Sequence, residues 1–144
     1  MSLTLLVAIV VVGIAAVVIA VHMTGGSRTA TLADAAAARR RFAEDFPDIR
    51  ARKVHLTSAR NAAFLELDAG KVGMVQSFGG KYLTRLVAVG DLASTPKAEG
   101  NATLVRLRDF TWKGGAFEFE TEAQAEAVAQ LFRSARRTDR WEMR

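Results

Sequence analysis

The sequence predicts an α+β chain. It should hold an N-terminal transmembrane helix, a juxtamembrane helix, and an antiparallel meander or small barrel of 6–7 strands closed by a C-terminal amphipathic helix. Three observations predict it. Residues 3–21, LTLLVAIVVVGIAAVVIAV, are nineteen positions with no charge, amide or proline and a single glycine. From Arg52 the apolar period changes to two, with turn residues at hairpin intervals. From Thr121 the period returns to that of a helix, with a capping signal and an apolar stripe.

At about 1.5 Å per residue the apolar run covers about 28 Å, close to the roughly 30 Å hydrocarbon core of a bilayer. A soluble helix of that length would show a polar face, and this one shows none. Its Val and Ile content is no objection, because lipid leaves the backbone no alternative to the helix. A cleaved signal peptide fits poorly. Met1-Ser2 offers no basic region, the apolar stretch is long, and Ala20-Val21-His22-Met23 is a poor small-x-small site. Residues 1–22 are therefore read as a retained transmembrane anchor rather than a signal or a soluble core helix. No Lys or Arg precedes the run, whereas Arg28 and Arg39, Arg40 and Arg41 follow it. The positive-inside rule then predicts a single-pass protein of the inner (cytoplasmic) membrane, N-terminus outside and C-terminal domain cytoplasmic. His22 is read as an amphipathic residue at headgroup level rather than a proton or metal site.

Of 144 residues, about 115 remain beyond the anchor, enough for one core and too few for two. The 20 basic and 15 acidic residues all lie there, so that part carries the whole net charge of +5. Arg outnumbers Lys fifteen to five and Ala is abundant, a usage that resembles high-GC bacteria. There is no Cys, which excludes disulfides, thiolate metal sites and a Cys nucleophile. Asn101-Ala102-Thr103 matches a glycosylation sequon, read as chance in a bacterial cytoplasmic domain.

Residues 23–30, MTGGSRTA, read as a linker. A juxtamembrane helix is expected over 31–47, with Thr31 and Asp34 as its cap. Leu32, Ala35, Ala36, Phe42, Ala43 and Phe46 should form its apolar face, and Pro47 its stop. RKVHLTS, AAFLELD, KVGMVQSF and KYLTRLVAV read as four strands joined by hairpin turns at 58–61, 68–70 and 79–80. GDLASTPKAEGN is the longest break. ATLVRLRDFTW and AFEFE then form a hairpin across Lys113-Gly114-Gly115. In the last helix Thr121 and Gln124 form a capping box. Ala125, Val128, Ala129 and Phe132 make a stripe that Leu131 and Ala135 widen, and Arg133, Arg136 and Arg137 suit the C-terminal end. Residues 138–144 are expected to be a short tail, polar apart from Trp141.

This order of strands followed by one amphipathic helix resembles the pleckstrin-homology-like (PH-like) barrel over residues 50–137. The resemblance is architectural and includes no signature motif. It implies a domain that binds lipid headgroups, peptides or partner proteins. Lipid-binding members place basic residues around the first hairpin, where Arg52, Lys53 and Arg60 fall here. The closely spaced Lys/Arg pattern of those members is incomplete in this chain.

No catalytic, cofactor-binding or metal-binding residue is assigned. His55 alternates away from Val54 and Leu56 and is expected at a surface or an interface. Ser58 lacks a nucleophile elbow, and the glycine pairs at 25–26, 79–80 and 114–115 make no phosphate-binding motif. Glu118 with Glu120, and Glu122 with Glu126, read as solvated carboxylates. What remains is charge geometry. Arg106 and Arg108 should share a sheet face with Phe110 and Trp112, next to Lys113. This face would suit nucleic acid, a lipid headgroup or an acidic peptide, or be an ordinary outer face. Arg39, Arg40 and Arg41 with Arg50, Arg52 and Lys53 form a second basic group, either touching anionic lipid or simply solvated.

The function expected on these grounds is a membrane-anchored, non-enzymatic binding or scaffold module. Its partners would be the lipid bilayer and a protein in the membrane or at its cytoplasmic face. Nucleic acid is disfavoured, and no small-molecule substrate is indicated. The alternative is a single-span accessory subunit of a larger bacterial membrane complex.

Overall fold

The computed structural model describes residues 2–23, 30–68, 70–109 and 112–142, the last five by backbone alone. Residues 24–29 of the expected linker, Phe110, the side chain of Trp141 and the last two residues of the tail lie outside what is described.

Helix α1, Leu3–Met23, begins where Ser2 Oγ accepts from the Leu5 N–H at 3.3 Å. Every residue of it is exposed, and it is long and apolar enough to cross a membrane. Helix α2, Ala35–Asp45, is shorter than the expected 31–47. Asp34 is its N-cap, with the side chain accepting from Ala37 N–H at 2.8 Å; the proposed Thr31 cap is not used. Residues 30–32 instead make tertiary hydrogen bonds. Ala30 N–H donates to Gly79 O (2.8 Å), Leu32 N–H to Arg60 O (2.7 Å) and Tyr82 Oη to Thr31 O (2.6 Å). Burial also rotates the expected face: Ala38 and Phe42 are buried, whereas Ala35, Ala36 and Ala43 are exposed. The helix docks by its C-terminal half, around Phe42, so the alanines at its start have nothing to meet.

Four strands follow as an antiparallel meander: β1 (Ala51–Leu56), β2 (Ala62–Leu67), β3 (Val72–Phe78) and β4 (Lys81–Val87). A 3-10 turn at Val89–Asp91 leads to a second sheet of β5 (Lys97–Glu99), β6 (Ala102–Arg106) and β7 (Gly114–Glu118). The strand count of seven lies within the expectation, but the barrel alternative is not realised: the sheets, of four and three strands, are not closed into one ladder. Pro96, which has no N–H to donate, precedes β5 and helps to break the run between them. β5 itself lies inside the expected long break. Its sequence, Lys-Ala-Glu, has no strand preference of its own, and pairing with β6 imposes the conformation.

The last hairpin also shifts. Gly114 and Gly115, expected as a turn, are the first residues of β7, with Gly114 opposite Arg106. Gly114 has φ +90°, and a Cβ there would overlap the Val105 carbonyl. Glycine is needed for close backbone approach within the ladder rather than for reversal.

The first sheet is buried on both sides. One face carries Ala63, Leu65, Leu67 and Val75 under Phe42, Ala38 and Leu32. The other carries Ala62, Phe64, Val72, Met74 and Val87, packed against Val105, Leu107, Phe117 and Phe119 and against Ala125, Val128 and Phe132. Phe64 is the hub of this face, edge-on to Phe117 (centroids 5.0 Å) and to Phe132 (5.9 Å). Gly73 lets α2 approach, since a Cβ there would stand 2.9 Å from the Phe42 ring.

Helix α3, Glu122–Glu142, buries the expected stripe, and Thr121 Oγ1 accepts from Gln124 N–H at 3.2 Å. The reciprocal half of the capping box is not formed, because Gln124 Oε1 is buried without a partner among the described residues. The helix continues through 138–142, which were expected as tail; Thr-Asp-Arg-Trp-Glu contains neither Gly nor Pro to stop it.

Candidate binding surfaces

The basic group around Arg39, Arg40 and Arg41 divides by environment. Arg39 and Arg40 are exposed on α2 and have no ion pair among the described residues. Arg41 folds onto the domain. Its guanidinium meets Asp45 at 2.9 Å and Glu44 at 3.4 Å, and donates to Tyr82 O at 3.4 Å. Thr84 also donates to the Asp45 carboxylate, and with Arg41 it holds that carboxyl below its ordinary range against a smaller opposing effect of burial. Of the three adjacent arginines the one that covers the domain is therefore Arg41, because the buried face of α2 is set by Ala38 and Phe42. On β1, Arg52 pairs with Asp68, and Lys53 is exposed opposite Glu66. Arg60, in the left-handed region at φ 57°, turns back to donate to Ala33 O at 3.1 Å.

His55 is not at the surface. It is 9% exposed, on the same sheet face as its cross-strand partner Phe64. Burial, and next the positive charge of Lys53, lower its pKa below the ordinary histidine value, with Glu66 opposing. The error lay in reading one face of β1 as outer when both faces of the sheet are covered. Among the described residues, His, Asp and Glu side chains form no group of three placed to hold a metal ion.

The basic group of Arg106, Arg108 and Lys113 is partly separated from its aromatics. Arg106, Arg108 and Lys113 are exposed and line an open groove of about 580 Å³ together with Ala93, Leu104 and Asp109. Trp112 does not share that face. It is half-buried beside Phe117 (centroids 6.1 Å), with the Arg85 guanidinium 6.0 Å from its ring and Arg85 paired to Asp109 at 2.6 Å. β6 ends at Arg106, so the alternation that would have aligned Trp112 with the cations stops before it arrives.

Arg108 and Ala93 also line a smaller groove of about 290 Å³, where Arg133 and Arg136 of α3 join them. Arg136 donates to Thr95 Oγ1 at 2.9 Å, and Arg133 pairs with Glu126 at 3.0 Å. Arg106, Arg108, Lys113, Arg133 and Arg136 therefore border one continuous pair of grooves. The two α3 arginines were read as helix-end residues only. Their spacing of three, on one side of the helix, was the signal for a surface role.

A third surface was missed altogether. Among the described residues outside α1, the large apolar side chains that stand exposed are Phe78 (72%) and Leu83 (53%). Both lie on one face of the β3–β4 hairpin, in register with Lys81 and Gln76, and line an apolar groove of about 420 Å³ with Met74 and Trp112. The sequence signal was an aromatic directly before a Gly-Gly turn, where a polar residue would ordinarily stand.

Comparison of the chain with family models, curated proteins and solved structures finds no match.

Proposed function

We propose that this chain is a membrane-anchored, non-enzymatic binding or scaffold module, which presents a small basic domain at the cytoplasmic face of the inner membrane. The observation that carries the reading is α1: twenty-one residues, apolar but for Thr4 and His22 and without one buried residue, beside a domain whose two core clusters contain none of its side chains. A helix of this kind has no place to bury its surface except lipid or another membrane helix. The absence of Lys and Arg before it, against Arg28, Arg39, Arg40 and Arg41 after it, supports a cytoplasmic domain.

The binding surface in this reading is the paired groove bordered by Arg106, Arg108, Lys113, Arg133 and Arg136. Four guanidiniums and one ammonium there suit an acidic segment of a partner protein, since guanidinium forks match carboxylates in pairs. The test is capture of partners from native membranes with the full chain and with an Arg106→Glu, Arg108→Glu variant. A partner lost in the variant supports the reading; identical captures remove the groove from it. A reporter active only in the periplasm, fused after Arg144, should stay silent, and a strong signal would reverse the topology.

The alternative, an accessory subunit recognised through its span, is favoured by Gly13, Ala16 and Ala20, whose spacings of three and four give α1 a small-residue side for helix packing. Extraction in mild detergent separates the two readings. A lone module runs at small size, and a subunit migrates with its complex.

A further inference from the structure

The first described residue after α1 is held in the β3–β4 hairpin. Ala30 N–H donates to Gly79 O at 2.8 Å, and Ser77 Oγ donates to Ala30 O. One residue on, Tyr82 Oη donates to Thr31 O at 2.6 Å. Met23 ends α1, so seven Cα–Cα steps separate it from Ala30, a reach of at most about 25 Å even when fully extended. Because Ala30 is bonded to Gly79, the tip of this hairpin always lies within roughly 30 Å of the end of α1.

Phe78 and Leu83, the large exposed apolar side chains outside α1 among the described residues, are on this same hairpin. They share one sheet face, diagonal to each other, and Lys81 stands directly across from Phe78. Gly79 and Gly80 form the tip, and nothing lies within 4 Å of the position a side chain would take at either. A narrow tip thus carries an aromatic and an aliphatic residue with a cation beside them. This is the composition that settles at a headgroup boundary, where rings enter the acyl edge and the lysine stem extends to phosphate.

We propose that the β3–β4 hairpin is a second membrane contact. It sets Phe78 and Leu83 into the headgroup layer of the bilayer that α1 spans, places Lys81 on lipid phosphates, and so fixes one orientation of the domain on the membrane. The inference rests on the reading that α1 crosses a membrane. Two apolar side chains would hold a free domain only weakly. A tethered one has already lost most of its translational freedom, so the same contact is formed at high effective concentration. The tether favours lipid over a protein partner or a second copy, because the chain that follows α1 is hydrogen-bonded to this hairpin, through Gly79 at its tip and through Ser77 and Tyr82 on the face opposite Phe78 and Leu83.

The chain has no cysteine, so single reporters can be placed cleanly. The full chain, with one of Val12→Cys, Lys71→Cys, Phe78→Cys or Leu83→Cys, is labelled with an environment-sensitive fluorophore. It is then reconstituted in vesicles of equal parts phosphatidylcholine and phosphatidylglycerol. Nitroxide lipids carrying the spin at the headgroup or deep in the acyl chain serve as quenchers. All of these positions are exposed, and Lys71 precedes β3 at the end opposite Phe78. The labels at 78 and 83 should be quenched by headgroup nitroxide several-fold more than the label at 71, and the label at 12 by deep nitroxide. If 12 is quenched while 78 and 83 behave like 71, the hairpin contact is overturned and the span stands. Blue-shifted emission at 78 and 83 without lipid quenching overturns it too, in favour of a protein or a second copy. If 12 itself is not quenched, the span reading falls, and the proposal with it.

Discussion

α1 and α3 have the same length, twenty-one residues each, and opposite construction. α1 is built largely of Val, Ile and Ala and buries nothing. α3 alternates charged residues with a stripe of Ala125, Val128, Ala129 and Phe132, every one of which is buried. β-branched residues make α1 the poorer helix former by intrinsic propensity. The difference teaches that helix length and propensity decide neither location nor partner here. A stripe narrower than half the circumference needs one protein face to cover it, whereas a helix apolar all round needs an apolar solvent.

The largest expected effect separates the two helices directly. Phe132→Ala, which empties part of the space around Phe64, should lower the stability of the domain by about 3–5 kcal/mol. Val12→Ala in α1 should leave domain unfolding unchanged. Denaturant melts of the full chain in detergent, followed by tryptophan fluorescence, read both. Equal effects would mean that α1 packs on the domain after all.

α2 sharpens the comparison, because it is a short helix that covers a sheet with few residues. Phe42 is fully buried and stacked on Phe46 at 4.9 Å, so Phe42→Ala should cost about 3 kcal/mol. Gly73→Ala should cost about 1–3 kcal/mol by pushing a methyl against the same ring. Combined with Phe42→Leu, it should cost less than the sum of the two, since the smaller side chain leaves room. Strict additivity would show that α2 does not bear on Gly73.

Below these comes a pH effect on the face that α3 covers. His55 has its pKa lowered in the folded state, so the unfolded chain binds a proton more readily. The stability it contributes is present above the unfolded value of about 6.5 and is lost as pH falls through that value towards the folded one. Melts between about pH 7.5 and 5.5 should show decreasing stability, and His55→Gln should flatten the slope in that window. An unchanged slope would place the acid sensitivity elsewhere.

The smallest folding effects belong to the outer face of α2. Arg39→Gln and Arg40→Gln should each stay within about 0.5 kcal/mol. Arg41→Gln should lose up to about 1 kcal/mol, because it breaks the pairing with Asp45 and Glu44. Because α1 adds nothing to either core cluster, residues 24–144 carry a complete core and can be studied with vesicles. If the exposed pair touches lipid, replacing Arg39 and Arg40 should weaken binding to anionic vesicles by roughly 2 kcal/mol at most, and raised salt should do the same. Equal binding to neutral vesicles would leave the cluster as a solvated face.

Arg39, Arg40 and Arg41 were legible as a basic group, but which of them is occupied was not. Helix periodicity cannot distinguish an alanine face that meets a sheet from one that meets water, and α2 docks by Phe42 rather than by Ala35 and Ala36. Arg106, Arg108 and Lys113 were legible as exposed cations. Trp112 was misplaced with them, because period two was carried past the last paired residue, Arg106. Phe78 and Leu83 were read as ordinary strand residues. Met74, on the same face, is buried, so only the tertiary packing decides that the tip is left uncovered.

The sequence by itself determined α1, the four-strand meander, the α3 stripe and the stop of α2 at Pro47. These follow from local signals: an uninterrupted apolar run, alternation between hairpin turns, a Thr cap, and the steric effect of proline on its predecessor. Only the tertiary structure decided that the strands form two sheets rather than a barrel, that Lys97–Glu99 is a strand, that His55 lies inside, and that residues 30–32 bind the β3–β4 and β1–β2 turns instead of starting a helix. Each of these depends on a partner distant in the chain. Backbone hydrogen bonds and covered faces are satisfied wherever the fold supplies them, and no local pattern records who the partner is.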